Sequence, residues 1–148
     1  MSERLGASLS SQVFVDASGW VAAWNRRDQY YDVARSLLDA CLDREIELVT
    51  TNWTAYEALS LLQSRTGADR AAELWGILTD KEAVTLLDVT PEIERRALGL
   101  FCGYRDKTWS GVDCASLVVM EELGCRQVIA FDRHFVEASR QRGLEVLP

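Results

Sequence analysis

Several residue types and motifs are scarce in this sequence of 148 residues, and their scarcity excludes several kinds of site. There is one histidine, His134, and the four cysteines form no CxxC pair. A zinc site would need closely spaced cysteines or several histidines. We therefore expect the cysteines to be buried free thiols. With a single histidine, no serine–histidine or cysteine–histidine pair competes convincingly as a nucleophile with its base.

Long apolar runs, nucleotide-binding loops and a basic charge balance are also missing. No apolar run approaches the roughly 20 residues that span a bilayer, so no membrane contact is expected. Residues 1–5 lack the charged-then-apolar pattern of a signal peptide, which predicts a cytoplasmic location. Neither GxxxxGK[ST] nor GxGxxG occurs. The net charge of −7 weighs against a nucleic-acid partner, although divalent cations bound to acidic residues would offset part of it.

The sequence does contain a regular alternation of strand and helix patterns. Predicted strands cover 12–15, 46–51, 83–89, 126–131 and 144–147. Predicted helices cover 17–25, 30–44, 53–65, 68–80, 110–122 and 135–142, and a further helix starts at Pro91. Strands separated by helices predict a mostly parallel five-stranded sheet with helices on both faces, a three-layer α/β/α fold. We expect a single domain over residues 1–148, because no linker divides the chain.

Four carboxylates stand out because apolar or small residues surround each of them. Asp16 and Asp132 end predicted strands, and Asp113 lies near the start of a predicted helix. Acids at such positions can converge on the sheet edge where α/β proteins bind ligands. Glu57 lies in the middle of a predicted helix, 53–65, that contains no other acid. Oxygen ligands without histidine or cysteine suit magnesium or manganese, so the set predicts a metal-dependent phosphodiesterase site.

Each carboxylate also has a purely structural explanation. Asp16 could be the N-cap of the helix that follows it, and Asp132 could cap the last helix or form an Asx turn. Asp113 lies three residues after Ser110, which is the spacing of a capping box. Glu57 has no capping explanation, and its structural alternative is a solvated helix face.

The segments around the four acids carry a family resemblance. They are VFVDAS at 13–18, TTNWTAYEAL at 50–59, SGVDCASL at 110–117 and IAFDRHF at 129–135. In order and spacing they resemble the PIN-domain nucleases, especially the VapC-like toxins of prokaryotic toxin–antitoxin pairs. The resemblance covers about 13–147 and implies a five-stranded parallel sheet flanked by helices in a protein that is often a homodimer.

The resemblance also implies an activity. Asp16, Glu57, Asp113 and Asp132 would be catalytic acids that hold Mg²⁺ or Mn²⁺, and Ser110 would be a nearby hydroxyl that positions water. The implied enzyme is a metal-dependent endoribonuclease that hydrolyses RNA as the toxin of a type II pair, with a small antitoxin protein as inhibitory partner. Three alternatives stay open: an RNA-processing nuclease outside toxin–antitoxin systems, a catalytically inactive PIN-like scaffold, and an α/β protein whose acids are only caps and surface groups.

Three basic residues lie close in sequence to the proposed ligands. They are Arg105, Lys107 and Arg133. Each is a candidate for holding RNA phosphates, and each has the alternative of an ordinary solvated surface charge.

Overall fold

The computed structural model of the chain describes residues 10–104 and 106–148, which form five strands and seven helices. The strands are β1 (Gln12–Val15), β2 (Glu47–Thr51), β3 (Val84–Leu87), β4 (Gln127–Ile129) and β5 (Glu145–Leu147). The helices are α1 (Ala17–Trp24), α2 (Tyr31–Asp43), α3 (Asn52–Thr66), α4 (Ala68–Leu78), α5 (Pro91–Gly103), α6 (Gly111–Leu123) and α7 (Arg133–Gln141). Every predicted element is present, with small shifts at its ends. Within the described residues, none of the helices is long and apolar enough to cross a membrane.

The five strands form one sheet in the order β3-β2-β1-β4-β5, and every neighbouring pair is parallel. β1 lies at the centre, where Phe14 pairs with Val49 of β2 and with Val128 of β4. Helices cover both faces of the sheet, as parallel strands joined by helical crossovers require. The predicted fold class is therefore confirmed.

The central strand divides its side chains between two hydrophobic cores. Val13 and Val15 face a core to which α1, α2, α3 and α4 contribute, with Trp20 and Leu62 among its fully buried residues. Phe14 faces the opposite core, which α5, α6 and α7 complete. This alternation follows from the two-residue period of a strand. Because β1 is buried on both faces, the residue that follows it is held at the middle of the carboxyl edge.

The cysteines are free thiols, but one of them is not buried. Cys41, Cys114 and Cys125 are buried, whereas Cys102 is exposed near the end of α5. The expectation of four buried thiols is therefore wrong at Cys102. The physical reason is that α5 contributes a single fully buried residue, Ala97, and Cys102 does not lie on the side of the helix that packs against the core. Burial raises the pKa of the Cys41 and Cys114 thiols to about 11.

We expect one cysteine to react with iodoacetamide in the folded protein and four after denaturation. Cys102 is accessible, while the thiolate that attacks the reagent is disfavoured at the buried positions. Mass spectrometry of the native and denatured reactions would count the adducts. In the control variant Cys102→Ser, the native adduct should disappear; its persistence would show that a buried cysteine is accessible.

Helix α1 crosses the sheet very closely at Gly19. A Cβ atom at this position would lie 2.9 Å from the backbone oxygen of Ile129 and 2.9 Å from Cγ1 of Val15. We expect Gly19→Ala to lower the free energy of unfolding by about 1–3 kcal/mol, because α1 must shift away from β1 and β4. A Cβ atom at Gly99 in α5 would have no neighbouring atom within 4 Å, so Gly99 is the matched control. Gly99→Ala should raise stability by about 0.5–1 kcal/mol in the same urea titration.

Candidate active site

An open cavity of about 380 Å³ lies at the carboxyl edge of the sheet. Its lining includes Asp16, Ser18, Tyr30, Glu57, Arg65, Ser110, Asp113, Phe131, Asp132 and His134. All four carboxylates singled out in the sequence, together with Ser110, are therefore brought to one place. Their positions in the chain span residues 16 to 132, so only the fold brings them together.

Asp16 is the most deeply buried of the four acids, with 3% of its surface exposed. It is the N-cap of α1, and its Oδ2 accepts hydrogen bonds from the Ser18 backbone N–H at 3.3 Å and the Ser18 hydroxyl at 2.8 Å. Burial and the nearby charge of Asp113 raise the pKa of Asp16 to about 7, against the lowering effect of the Ser18 hydrogen bonds. Asp16 is thus both the N-cap of α1 and an acid with a strongly raised pKa.

Ser18 joins two strand ends at the cavity, a role that the sequence analysis missed. Its hydroxyl donates to Asp16 and accepts the backbone N–H of Phe131 at 2.9 Å and of Asp132 at 3.1 Å. The hydroxyl therefore links the segment after β1 to the segment after β4. The only indication of this role in the sequence is that Ser18 lies two residues after Asp16.

Asp113 belongs to a capping box and also lines the cavity. Its backbone N–H donates to Ser110 Oγ at 3.0 Å, while its Oδ2 accepts the Ser110 backbone N–H at 3.1 Å. Burial raises the pKa of Asp113, the Ser110 hydrogen bonds lower it, and the charge of Asp132 raises it further. The capping interpretation and the site interpretation are both compatible with this geometry.

The remaining two acids approach the cavity from different sides. Asp132 is exposed and is the N-cap of α7, accepting the Phe135 backbone N–H at 3.0 Å. Glu57 is half-buried in α3, and in residues 10–104 and 106–148 it has no hydrogen-bond or ion-pair partner. Burial and then the charges of Asp113 and Asp132 raise the pKa of Glu57. Its carboxylate thus faces other acids, which differs from a solvated helix face.

A buried pair of hydroxyls holds together the two helices that carry Glu57 and Asp113. Thr54 Oγ1 and Ser116 Oγ lie 3.1 Å apart. Thr54 precedes Glu57 by about one turn of α3, and Ser116 follows Asp113 by about one turn of α6. Both hydroxyls are fully buried, which fixes the separation of the two helices beside the cavity.

The N-terminal ends of three helices meet at the cavity. Asp16, Ser110 and Asp132 are the N-caps of α1, α6 and α7, respectively. The N-terminus of a helix carries a partial positive charge and unpaired N–H groups, so it stabilises nearby carboxylates. This arrangement partly offsets the repulsion among the clustered acids.

The chemistry of the donor groups fits a hard divalent cation, but the side chains as placed form no ready cage. Within the described residues, no three histidine, cysteine, aspartate or glutamate side chains stand close enough together to hold a metal ion. The cavity nevertheless offers four carboxylates, which are preferred ligands of Mg²⁺ and Mn²⁺. A cation held directly by three or more of these carboxylates would therefore require them to move towards one another.

Of the three basic residues singled out in the sequence, the two that the structure describes lie outside the cavity lining. Arg105 lies outside the described residues. Lys107 Nζ lies 3.8 Å from Asp106 Oδ2. Neither Lys107 nor Arg133 lines the cavity. Among the described residues, the arginine that lines the cavity is Arg65, which follows Glu57 by about two turns of α3 and was not singled out in the sequence.

An aromatic pair forms part of the cavity wall. The rings of Tyr30 and Phe131 stack with their centroids 4.7 Å apart and their planes 12° apart. Tyr30 is 39% exposed, so part of its ring remains accessible to a ligand. Close by, His134 Nδ1 and Thr108 Oγ1 share a hydrogen bond of 2.7 Å.

Comparisons with known proteins agree with this fold. The family described as the PIN domain matches residues 13–141. The chain is 29% identical over 126 residues to the 23S rRNA-specific endonuclease VapC20 of Mycobacterium tuberculosis. The match is the same for strains CDC 1551 / Oshkosh and ATCC 25618 / H37Rv, and it covers 85% of this chain and 93% of the relative. The crystal structure of Mycobacterium tuberculosis VapC20, described as a Sarcin-Ricin loop cleaving toxin, superposes on this chain with a TM-score of 0.80 at 28% sequence identity. The superposition covers 92% of this chain and 99% of that chain. The resemblance seen in the sequence is confirmed, and the chain belongs to the PIN-domain family.

Proposed function

We propose that this chain is a metal-dependent endoribonuclease that hydrolyses phosphodiester bonds of RNA and acts as the toxin of a type II toxin–antitoxin pair. The observation that carries the proposal is the convergence of four carboxylates in one cavity of a PIN-domain protein. The homology to VapC20, an rRNA endonuclease, supports RNA as the substrate class. An inactive scaffold is the weaker alternative, because every member of the acidic set is present.

We propose Asp16, Glu57, Asp113 and Asp132 as the catalytic acids and as the residues that hold Mg²⁺ or Mn²⁺. When bound, such a cation activates water and stabilises the charge that develops on the phosphate oxygens. Burial, and then the charges of neighbouring acids, raise the pKa values of Asp16, Glu57 and Asp113, so the protein's own groups do not fully stabilise the ionised carboxylates. A cation would supply that stabilisation and keep the buried Asp16 ionised at neutral pH.

The other residues of the cavity have supporting roles in this proposal. Ser18 fixes the orientation of Asp16 relative to the segment that carries Asp132. Ser110 holds Asp113 through the capping box, and its exposed hydroxyl is available to position water. The accessible face of Tyr30 would stack on a base, which favours a single-stranded or unpaired segment of RNA.

The toxin role implies a small antitoxin protein that inhibits the nuclease. We further propose a single PIN-like domain that assembles as a homodimer in the cytoplasm. Size-exclusion chromatography with light scattering would determine the oligomeric state. An open reading frame for a short protein immediately upstream would support the toxin role over RNA processing.

We expect the purified chain to cleave RNA in Mg²⁺ or Mn²⁺, and we expect chelation by EDTA to abolish cleavage.

Asp16→Asn should reduce the rate of RNA cleavage by a factor of about 10³ or more, because it removes the charge of a metal ligand while preserving the N-cap. Asp88→Asn is the matched control, since Asp88 also follows a strand but is exposed and lies outside the cavity. Cleavage of a labelled RNA would be followed on denaturing gels. Wild-type rates in Asp16→Asn, or undiminished cleavage in excess EDTA, would disprove the mechanism.

The same substitution should increase stability in a pH-dependent way when metal is absent. The folded state raises the Asp16 pKa from 3.8 to about 7, so folded protein retains a proton that the unfolded chain has released in that range. Wild-type stability should therefore fall as pH rises from about 4 to 7, by an amount on the order of 4 kcal/mol at most. Asp16→Asn has no carboxyl at this position and lacks the Asp16 contribution, so its stability should fall less than that of the wild type over this range.

Urea unfolding in EDTA at pH 5 and pH 8 would measure the effect. The stability advantage of Asp16→Asn over the wild type should be larger at pH 8, and Asp88→Asn should show no such pH-dependent advantage. An advantage of equal size at both pH values would mean that the folded state does not perturb the Asp16 carboxyl.

A further inference from the structure

A second cleft, of about 520 Å³, lies beside the acidic cavity and has the opposite charge. Its lining contains Arg26, Arg27, Arg65 and Arg70 and one acid, Glu73. The chain has 16 lysines and arginines against 23 acidic residues, so four arginines in one cleft depart from its overall balance. We call this surface the arginine cleft.

One of the four arginines, Arg70, donates hydrogen bonds within the protein from all three of its guanidinium nitrogens. Arg70 donates from Nε at 2.9 Å and from Nη2 at 2.7 Å to the backbone oxygen of Trp24, at the end of α1. Its Nη1 donates to Glu73 Oε2 at 2.6 Å. Arg70 therefore fixes α4 against α1 and also pairs with the acid of the cleft.

The other three arginines have no such partner. In the part of the chain that the structure describes, the side chains of Arg26, Arg27 and Arg65 form neither an ion pair nor a hydrogen bond, and all three are exposed. Three like charges in one cleft repel each other, and Glu73 is already paired with Arg70. The arrangement is suited to an anion with several negative groups.

The arginine cleft adjoins the acidic cavity at two places. Arg65, near the end of α3, lines both of them. In the connection between α1 and α2, Arg26 and Arg27 line the cleft while the next residues, 28–30, line the acidic cavity. A chain-like ligand can therefore extend from one into the other.

We propose that the arginine cleft binds backbone phosphates of the RNA strand adjacent to the bond that is cut in the acidic cavity, an inference that rests on the proposed nuclease function. A guanidinium group donates two parallel hydrogen bonds to a phosphate and keeps its charge at all relevant pH values. The acidic cavity alone would repel a polyanion. Arg26, Arg27 and Arg65 supply the attraction next to it, and because they bind phosphate they add affinity without base preference.

The test measures binding of a fluorescent 20-nucleotide single-stranded RNA to proteins that carry Asp16→Asn, so that cleavage does not interfere. Arg26→Ala/Arg27→Ala and Arg65→Ala should each bind about tenfold more weakly. The slope of log affinity against log salt should fall by about 0.7 for each phosphate that the variant no longer binds. Arg65→Lys should recover part of the affinity, because it retains the charge.

Arg95→Ala is the matched control, since Arg95 is an exposed arginine of α5 that lines neither the cleft nor the cavity. It should bind RNA with wild-type affinity and salt dependence. In proteins with Asp16 intact, the cleft substitutions should raise KM for RNA with little change in kcat. Equal unfolding midpoints would exclude general misfolding as the cause.

The outcomes separate this proposal from the proposed function. If the wild type cleaves RNA and the arginine variants match Arg95→Ala in affinity and salt slope, the cleft proposal is overturned while the nuclease stands. If the variants bind polyglutamate more weakly but RNA as before, the cleft proposal is also overturned, and the cleft instead fits an acidic protein segment. If the wild type binds RNA through the arginines but does not cleave it with Mg²⁺ or Mn²⁺, the proposed function fails, while the binding of RNA phosphates by the cleft stands.

Discussion

The accumulation of carboxylates at one partly buried edge is the constraint around which the rest of the structure is arranged. Asp16 is almost completely buried, and Asp113 and Glu57 raise its pKa in addition to the effect of burial. Such a cluster is unfavourable unless nearby groups offset the charge. The structure provides hydrogen bonds from Ser18 and Ser110 and the N-terminal ends of three helices. The central position of β1 is what directs Asp16 into this environment.

Much of the fold could be predicted because its local patterns agree with one another. The apolar run at 12–15 is a central strand buried on both faces, and the helical periodicities mark seven helices close to their observed ends. The site was harder to predict, because a residue that caps a helix at the carboxyl edge of the sheet also faces the ligand-binding edge. At Asp16, Asp113 and Asp132 the two interpretations therefore describe the same geometry. Glu57 was the more informative residue, since no capping role competes in the middle of a helix.

The features that the sequence did not reveal depend on distant residues meeting in space. Ser18 binds the backbone of Phe131 and Asp132, which are more than a hundred residues away. Arg65 lines the same cleft as Arg26 and Arg27 only because α3 ends beside the connection that follows α1. Proximity in sequence indicated Lys107 and Arg133 instead, which lie outside the cavity lining. Cys102 was expected to be a buried thiol, yet it is exposed because α5 contributes only one fully buried residue, Ala97.

The hydrogen bonds of Ser18 have a consequence for the order in which the site is assembled. They join residue 18 to residues 131 and 132, a separation of 113 and 114 positions. Such long-range pairings form only after the intervening chain has been synthesised and has folded. A nascent chain that has not yet extended through β4 holds Asp16 without Asp132 and without the backbone that orients Ser18. The complete acidic set therefore exists only after β4 and the segment that follows it have been synthesised and have folded against β1.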